Sequence, residues 1–440
     1  MRSKKTFLFS LIFLLQGLMM LTACRNAGDN SNDTSGHATV EIKKADDGFQ
    51  LYRNGQPYFI KGAVGWSFLE DLAESGGNSL RSSPQRLDEA HSLGLSVLVN
   101  IPMGAERGGF DYDDEEAVKA QFNRAKEIVN EYKDHPAVLM WSIGNELDHI
   151  PGNLDYNLRM WDAVNDIAGM IKETDPNHPV MTVVGIGAAE REKFRIIRER
   201  CPNLDLLGIN GYAAIMNLPE WLREFNWDKP FVVTEWGPSG WWEVPRTNRG
   251  VVIEETSTEK ARVYRERYEE VILADPLCIG SYVFLWTSNR QERTHTWFNM
   301  FHNDLKTQTV EVMQYMWTGK WPENRAPRIS SLTINEKTAL DNIALKPGSI
   351  SRASVDAYDP DGDELIFEWE LLPEPEQFGA YAGQGEVKPE PVAGLIRTAG
   401  DNTFEFEVPG KTGISYRLFV YIYDGNGNIA NANIPFFVMD

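Results

Sequence analysis

Between about residues 40 and 325 the sequence switches eight times from strand-like to helix-like periodicity, and this alternation limits the fold more than any other feature of the chain. The strand-like runs are 58–63, 78–81, 96–101, 138–143, 180–184, 204–209, 231–234 and 279–286. Several are continuous β-branched and aromatic stretches, the pattern of strands buried on both faces. Between them lie amphipathic helices. Val118, Phe122, Ala125, Val129 and Tyr132 form one apolar stripe, and Trp161, Val164, Ala168 and Ile171 form another. Thr256 and Glu259 have the spacing of a capping box at the start of the helix before strand eight. The chain is therefore predicted to be α/β, with a (β/α)8 TIM barrel over 40–325. A doubly wound open sheet is the alternative, but no Gly-rich phosphate loop follows the first strand.

The two prolines of 321–327 mark a boundary beyond which the helical period disappears. Short alternating runs at 351–358, 365–371, 403–408, 416–423 and 434–438 are separated by turn clusters. They predict an all-β immunoglobulin-like sandwich over 326–440, with Trp369 in its core. The turn at 359–363 gathers Asp359, Asp361 and Asp363; it reads as a plain hairpin turn or as a calcium site.

At the other end, Arg2, Lys4 and Lys5 precede an apolar run over 6–21 that stops at Leu21-Thr22-Ala23-Cys24. This is the pattern of a signal peptide over 1–23. Its end resembles the bacterial lipobox, with Cys24 as the lipid attachment site. Residues 24–39, rich in Asn, Asp, Ser and Gly, are expected to form a flexible tether. The expected location is the outer membrane or cell surface, with the lipid as the sole membrane contact. The formal charge of −21 becomes −24 without residues 1–23, and such acidity argues against nucleic acid as a partner and favours neutral substrates. Cys201 and Cys278 precede strands that are not neighbours in a barrel and are expected to be buried thiols. With seven histidines and no metal-ligand spacing, neither a metal nor a cofactor is expected. A monomer is expected.

Two of the apolar runs end in an acid: 137–146 ends in Gly144-Asn145-Glu146, and 230–238 contains Thr234-Glu235-Trp236-Gly237. A strand buried on both faces tolerates a terminal acid where that acid faces a cleft. Two glutamates at the ends of different barrel strands supply the pair that sugar-bond hydrolysis requires, one carboxyl to protonate and one carboxylate to attack. The alternative is a pair of exposed loop acids.

These motifs, together with Asn78-Ser79-Leu80-Arg81, Asn210-Gly211-Tyr212 and Phe284-Leu285-Trp286 in register on strands two, six and eight, resemble clan A glycoside hydrolases, most closely the catalytic barrel of glycoside hydrolase family 2. The resemblance implies that Glu146 is the general acid/base and Glu235 the nucleophile of a retaining mechanism. It further implies that Asn145 bonds the sugar 2-hydroxyl, that Arg81 and Tyr212 donate to Glu235, and that Asn210 lies at the substrate. A salt bridge that stabilises the barrel mouth is the other reading of Arg81. Full-length members carry two β-domains ahead of the barrel where this sequence has the tether. A barrel followed by one immunoglobulin-like domain resembles certain bacterial endo-β-1,3-glucanases of other clan A families. Since the exo-acting galactosidase and glucuronidase pockets borrow residues from those two β-domains, the resemblance disfavours such exo action.

Trp66, Trp236, Trp241, Trp242 and Trp286, with Trp297, fall at or beyond strand ends, where flat rings stack on pyranose faces; Trp141 reads as core. The loop 104–114, with Glu106 and Arg107, has room to wall a cleft. The carbohydrate substrate expected is a neutral poly- or oligosaccharide, β-glucan first and within it β-1,3. A transglycosylase with the same residues, an inactive glycan-binding lipoprotein, and an adhesion protein built on the sandwich are the competing readings.

Overall fold

The computed structural model describes residues 38–149, 155–187, 192–375, 385–392, 397–399 and 402–439. Cys24, the lipobox and most of the tether lie outside them.

Eight parallel strands close into a barrel. They are β1 (Ile60–Gly65), β2 (Ser79–Ser82), β3 (Ser96–Ile101), β4 (Val138–Ile143), β5 (Val180–Gly185), β6 (Leu206–Asn210), β7 (Phe231–Trp236) and β8 (Cys278–Trp286). β8 pairs with β1 and completes the ring. The strands pack their outer faces on the helices. Helix Glu115–Tyr132 is capped by the Asp114 carboxylate, and helix Arg159–Thr174 buries Trp161, Val164, Ala168 and Ile171. Thr256 and Glu259 make the reciprocal capping box of helix Ser257–Arg267. Inside the barrel, Leu98, Met140, Met181, Leu206, Val232 and Tyr282 fill the lower lumen. A packed lower lumen confines chemistry to the upper, C-terminal rim.

Within the range expected for the barrel, residues ahead of its first strand form an antiparallel sheet of Val40–Lys44, Phe49–Arg53 and Gln56–Tyr58 that the sequence reading did not include. Its Val40 and Leu51 join the cluster inside the barrel, so this sheet closes the floor. These strands are short and half-exposed, and their weak alternation hid them.

Beyond the barrel, two sheets form an all-β sandwich. Strands Arg328–Ile334, Ile350–Tyr358 and Thr403–Glu407 make one. Ile366–Pro373, Ser415–Tyr423 and Asn428–Val438 are the long strands of the other. Trp369 is fully buried between them and stacks on Phe404 with ring centroids 5.7 Å apart.

The expected divide at residue 325 is bridged. Strand Leu305–Thr307, which precedes it, pairs with Asn428–Val438 and so belongs to the sandwich sheet. Buried polar contacts join the two parts: Arg417 donates to the Val252 carbonyl at 2.8 Å, Asn433 to Glu254 at 2.7 Å, and His295 meets the Tyr421 hydroxyl at 2.5 Å. The described residues fall in one compact unit.

Cys201 and Cys278 are free and buried. At the 359–363 turn, Asp359 Oδ1 accepts the backbone N–H groups of Asp361, Gly362 and Asp363 at 2.8, 3.1 and 3.3 Å, the bonding of an Asx turn. One carboxylate oxygen each of Asp359, Asp363 and Asp424 lies within 4.8 Å of the others. Among the described residues, no helix is long and apolar enough to cross a membrane.

Candidate active site

Glu146 leaves β4 through a tight turn. Gly144 has φ 67° and Glu146 itself φ 47°, a left-handed conformation that costs a non-glycine residue about 1–3 kcal/mol. The turn is held from outside: the Arg107 guanidinium donates to the Glu146 carbonyl and, at 3.1 Å, to the Asn145 carbonyl. Gly185, at the end of β5, leaves the space that the Glu146 side chain occupies; a Cβ there would lie 3.0 Å from Oε1. Behind the turn, Lys193 pairs with Asp148 at 2.7 Å and donates to the Gly185 carbonyl at 2.7 Å.

Glu235 reaches the cleft through an irregularity in β7. The register against β6 shifts between Val233 and Glu235. With strict alternation, Thr234 and Trp236 would share one face. The shift breaks that phase. Thr234 faces inward, its hydroxyl donating to Asn210 Oδ1 at 2.8 Å. Glu235 opens to the cleft with 17% of its side chain exposed. Trp236 turns back against Tyr264 and Tyr268.

One polar network joins the two glutamates. Arg81, buried at the end of β2, donates through Nη1 to Glu235 Oε1 at 2.9 Å and to the Thr234 carbonyl at 3.1 Å. Its Nη2 donates to Asn145 Oδ1 at 2.6 Å. The Asn210 amide donates to Glu146 Oε1 at 2.8 Å and to Asn145 Oδ1 at 3.1 Å. Asn145 therefore uses its oxygen on the protein, and among the described residues its NH2 group has no hydrogen-bond partner and is available to a ligand. Burial pushes the Glu235 carboxyl up to about 7; Arg81 pulls it down and the Glu146 charge pushes it further up. Burial thus favours the neutral form of Glu235 and Arg81 the charged one.

Residues 87–240 match the family described as "Glycosyl hydrolases family 2, TIM barrel domain". The barrel resembles the family 2 catalytic domain. β-Galactosidase 2 of Enterobacter cloacae is 24% identical over 177 residues, covering 40% of this chain and 14% of that protein. A β-glucuronidase of Streptococcus agalactiae is 24% identical over 218 residues, covering 41% of this chain and 34% of that protein. The aligned part is thus about a third or less of the length of these relatives. Among solved structures, a calcium-binding mutant of Bacteroides uniformis β-glucuronidase 2 superposes with a TM-score of 0.50 at 14% identity, over 91% of this chain and 48% of that one; it shares the fold.

The barrel brings Glu146, Glu235, Arg81, Asn145 and Asn210 together at one rim. Tyr212 is nearby but does not make the expected hydrogen bond to Glu235. Its ring packs edge-on against Trp242 and Phe284, and burial, then the Glu235 charge, pushes its hydroxyl well above the ordinary range. The tryptophans divide. Trp66 and Trp242 are 49% and 48% exposed. Trp241 is half-buried, with its indole N–H 3.3 Å from Glu292. Trp236, Trp286 and Trp297 are buried, contrary to the expectation that they line the cleft. Trp286 donates to the Phe68 carbonyl at 2.9 Å and packs on Phe301 and Trp317. β8, like β7, carries a register shift, here between Val283 and Trp286, that turns the indole outward.

Four contributors escaped the sequence reading. Arg107 and Thr234 were visible only as a loop cation and a strand threonine. Lys193 lay in an unremarkable helix. Glu243 accepts the N–H groups of Ala213, Ala214 and Gly240 at 2.9, 3.1 and 2.8 Å, tying the loop after β6 to the loop after β7.

Proposed function

We propose that this chain is a retaining β-glycoside hydrolase. Glu146 delivers a proton to the glycosidic oxygen as the bond to the anomeric carbon breaks, and Glu235 attacks that carbon to form a glycosyl ester. Glu146, now the base, takes a proton from water, which attacks the anomeric carbon and releases Glu235. Glu235 attacks as the carboxylate, the form that Arg81 favours against burial. The Asn145 NH2 group donates to the sugar 2-hydroxyl. The observation that carries this reading is the joining of Glu146 and Glu235, from different strands, by Arg81, Asn145 and Asn210.

The substrate proposed is a β-linked poly- or oligosaccharide, with a neutral β-glucan, β-1,3 first, at the cleaved bond. The exposed rings of Trp66 and Trp242 support pyranose stacking at the rim. The test is incubation with a panel of β-linked glycans, with products resolved by length and anomeric configuration. A first-formed product of inverted configuration, or turnover unaffected by Glu235→Ala, overturns the assignment. We also propose lipid attachment at Cys24, which palmitate labelling of the chain and of Cys24→Ala in cells tests.

A further inference from the structure

Beside the catalytic rim, a cavity of about 800 Å³ opens between the loop after β7 and the C-terminal sandwich, a size typical of small-ligand sites. Arg246, Arg249, Arg293, Lys388 and Lys411 line it, against the carboxylates of Glu374 and Glu390. In a chain of formal charge −21 this is a local reversal of sign, and a concave surface focuses such a field.

The pairing sharpens the point. Glu374 is already held by Arg417 at 2.7 Å, Arg293 pairs with Glu386 at 2.9 Å, and Lys388 pairs with Glu370 at 2.9 Å. Arg246 donates to the Gly250 and Trp241 carbonyls at 3.1 and 3.4 Å, and the Arg249 guanidinium lies 4.1 Å over the Phe437 ring. Neither has a carboxylate partner among the described residues. The remaining lining includes the apolar Val252, Ile414 and Tyr416. Apolar surface suits the C–H faces of sugar rings, and guanidinium forks suit carboxylate or sulfate oxygens.

The groove also connects to the catalytic rim through rings. Arg293 stacks 3.9 Å from the centre of Trp241, which meets Trp242 edge-on at 5.2 Å, and Trp242 meets Tyr212 at 5.3 Å. The wall opposite this loop is the sandwich, fixed by the buried Arg417 and Asn433 bonds.

We propose that this groove binds acidic sugar units, carboxylated or sulfated, of the glycan whose β-bond is cut at the barrel rim. The inference deepens the hydrolase reading and rests on it for the identity of the cut chain, while binding itself needs no turnover.

The test is calorimetric binding to full-length Glu235→Gln protein, with laminaritetraose, sulfated laminaritetraose and tetraglucuronate as probes. At low salt, at least one acidic oligomer binds roughly tenfold or more tighter than the neutral one, and the gain shrinks as sodium chloride screens it. Which acidic oligomer gains identifies the anion. Arg246→Ser with Arg249→Ser removes the gain and leaves the neutral affinity and the melting temperature unchanged. Both arginines are exposed, so folding is preserved; should the double variant melt early, each single variant is read instead. Equal affinity for neutral and acidic probes overturns the proposal, as does an acidic preference that survives loss of the arginines. If wild-type protein cleaves nothing while the arginine-dependent preference remains, the hydrolase reading fails and the groove stands.

Discussion

The Arg81 guanidinium lies 2.9 Å from the Glu235 carboxylate, and the same side chain holds the Asn145 amide oxygen at 2.6 Å. One buried cation thus fixes the proposed nucleophile and the proposed 2-hydroxyl donor together. It also opposes the burial that pushes Glu235 up to about 7.

Arg81→Met removes that opposition. The Glu235 carboxyl then titrates at a higher pH, and the acidic limb of the kcat/KM profile moves upward with it. At neutral pH, kcat/KM falls roughly 10²-fold, the usual scale for losing one preorganised electrostatic contact. An acidic limb that stays in place would sever the link between Arg81 and Glu235.

Glu146→Gln moves Glu235 the other way, because the neighbouring charge that raises it is gone. The variant loses most activity on natural glycosides yet still forms the ester from aryl glycosides with good leaving groups. Added azide then restores turnover and yields a β-glycosyl azide, seen by mass spectrometry and NMR. Absence of azide rescue removes Glu146 from the acid/base role.

Glu235 also makes stability depend on pH. Its folded pKa of about 7 exceeds the ordinary 4.5, so the native state binds more protons than the unfolded chain between those values. Stability is therefore lost as pH rises through that window. In Glu235→Gln the fall in melting temperature from pH 4.5 to 7 is smaller than in wild type, which calorimetry at matched ionic strength measures.

Gly185→Ala sets a methyl group 3.0 Å from Glu146 Oε1. Displacing the acid by a fraction of an ångström lowers kcat roughly tenfold or more, with little change in melting temperature. A kcat equal to wild type would show that the Glu146 position seen here is not the productive one.

The tryptophans separate by thermodynamics. Trp66→Ala and Trp242→Ala raise KM for oligosaccharides and leave the fold intact. Trp236→Ala and Trp286→Ala each destabilise by about 3–5 kcal/mol, the range for truncating a buried aromatic residue. Denaturant unfolding alongside steady-state kinetics distinguishes the two classes.

The alternation of periods and the two acid-ended runs were legible in the sequence because both are local. A strand buried on two faces needs an uninterrupted apolar run, a covering helix needs a stripe, and an acid closing such a run needs a cleft. The barrel and the candidacy of Glu146 and Glu235 followed from those requirements; Arg81, Asn145 and Asn210 entered only through the family 2 resemblance. Tertiary structure decided which way side chains turn at the strand ends. A shift of one residue in β7 opens Glu235 to the cleft and sends Trp236 into the helical layer, and a similar shift in β8 buries Trp286. Pairing register depends on the partner strand, so no window of sequence contains it. The floor sheet, the Arg107 clamp on Glu146 and the bridging of barrel to sandwich by Leu305–Thr307 were hidden for the same reason. Each is a contact between segments remote in the chain, formed once the closed barrel has brought them together.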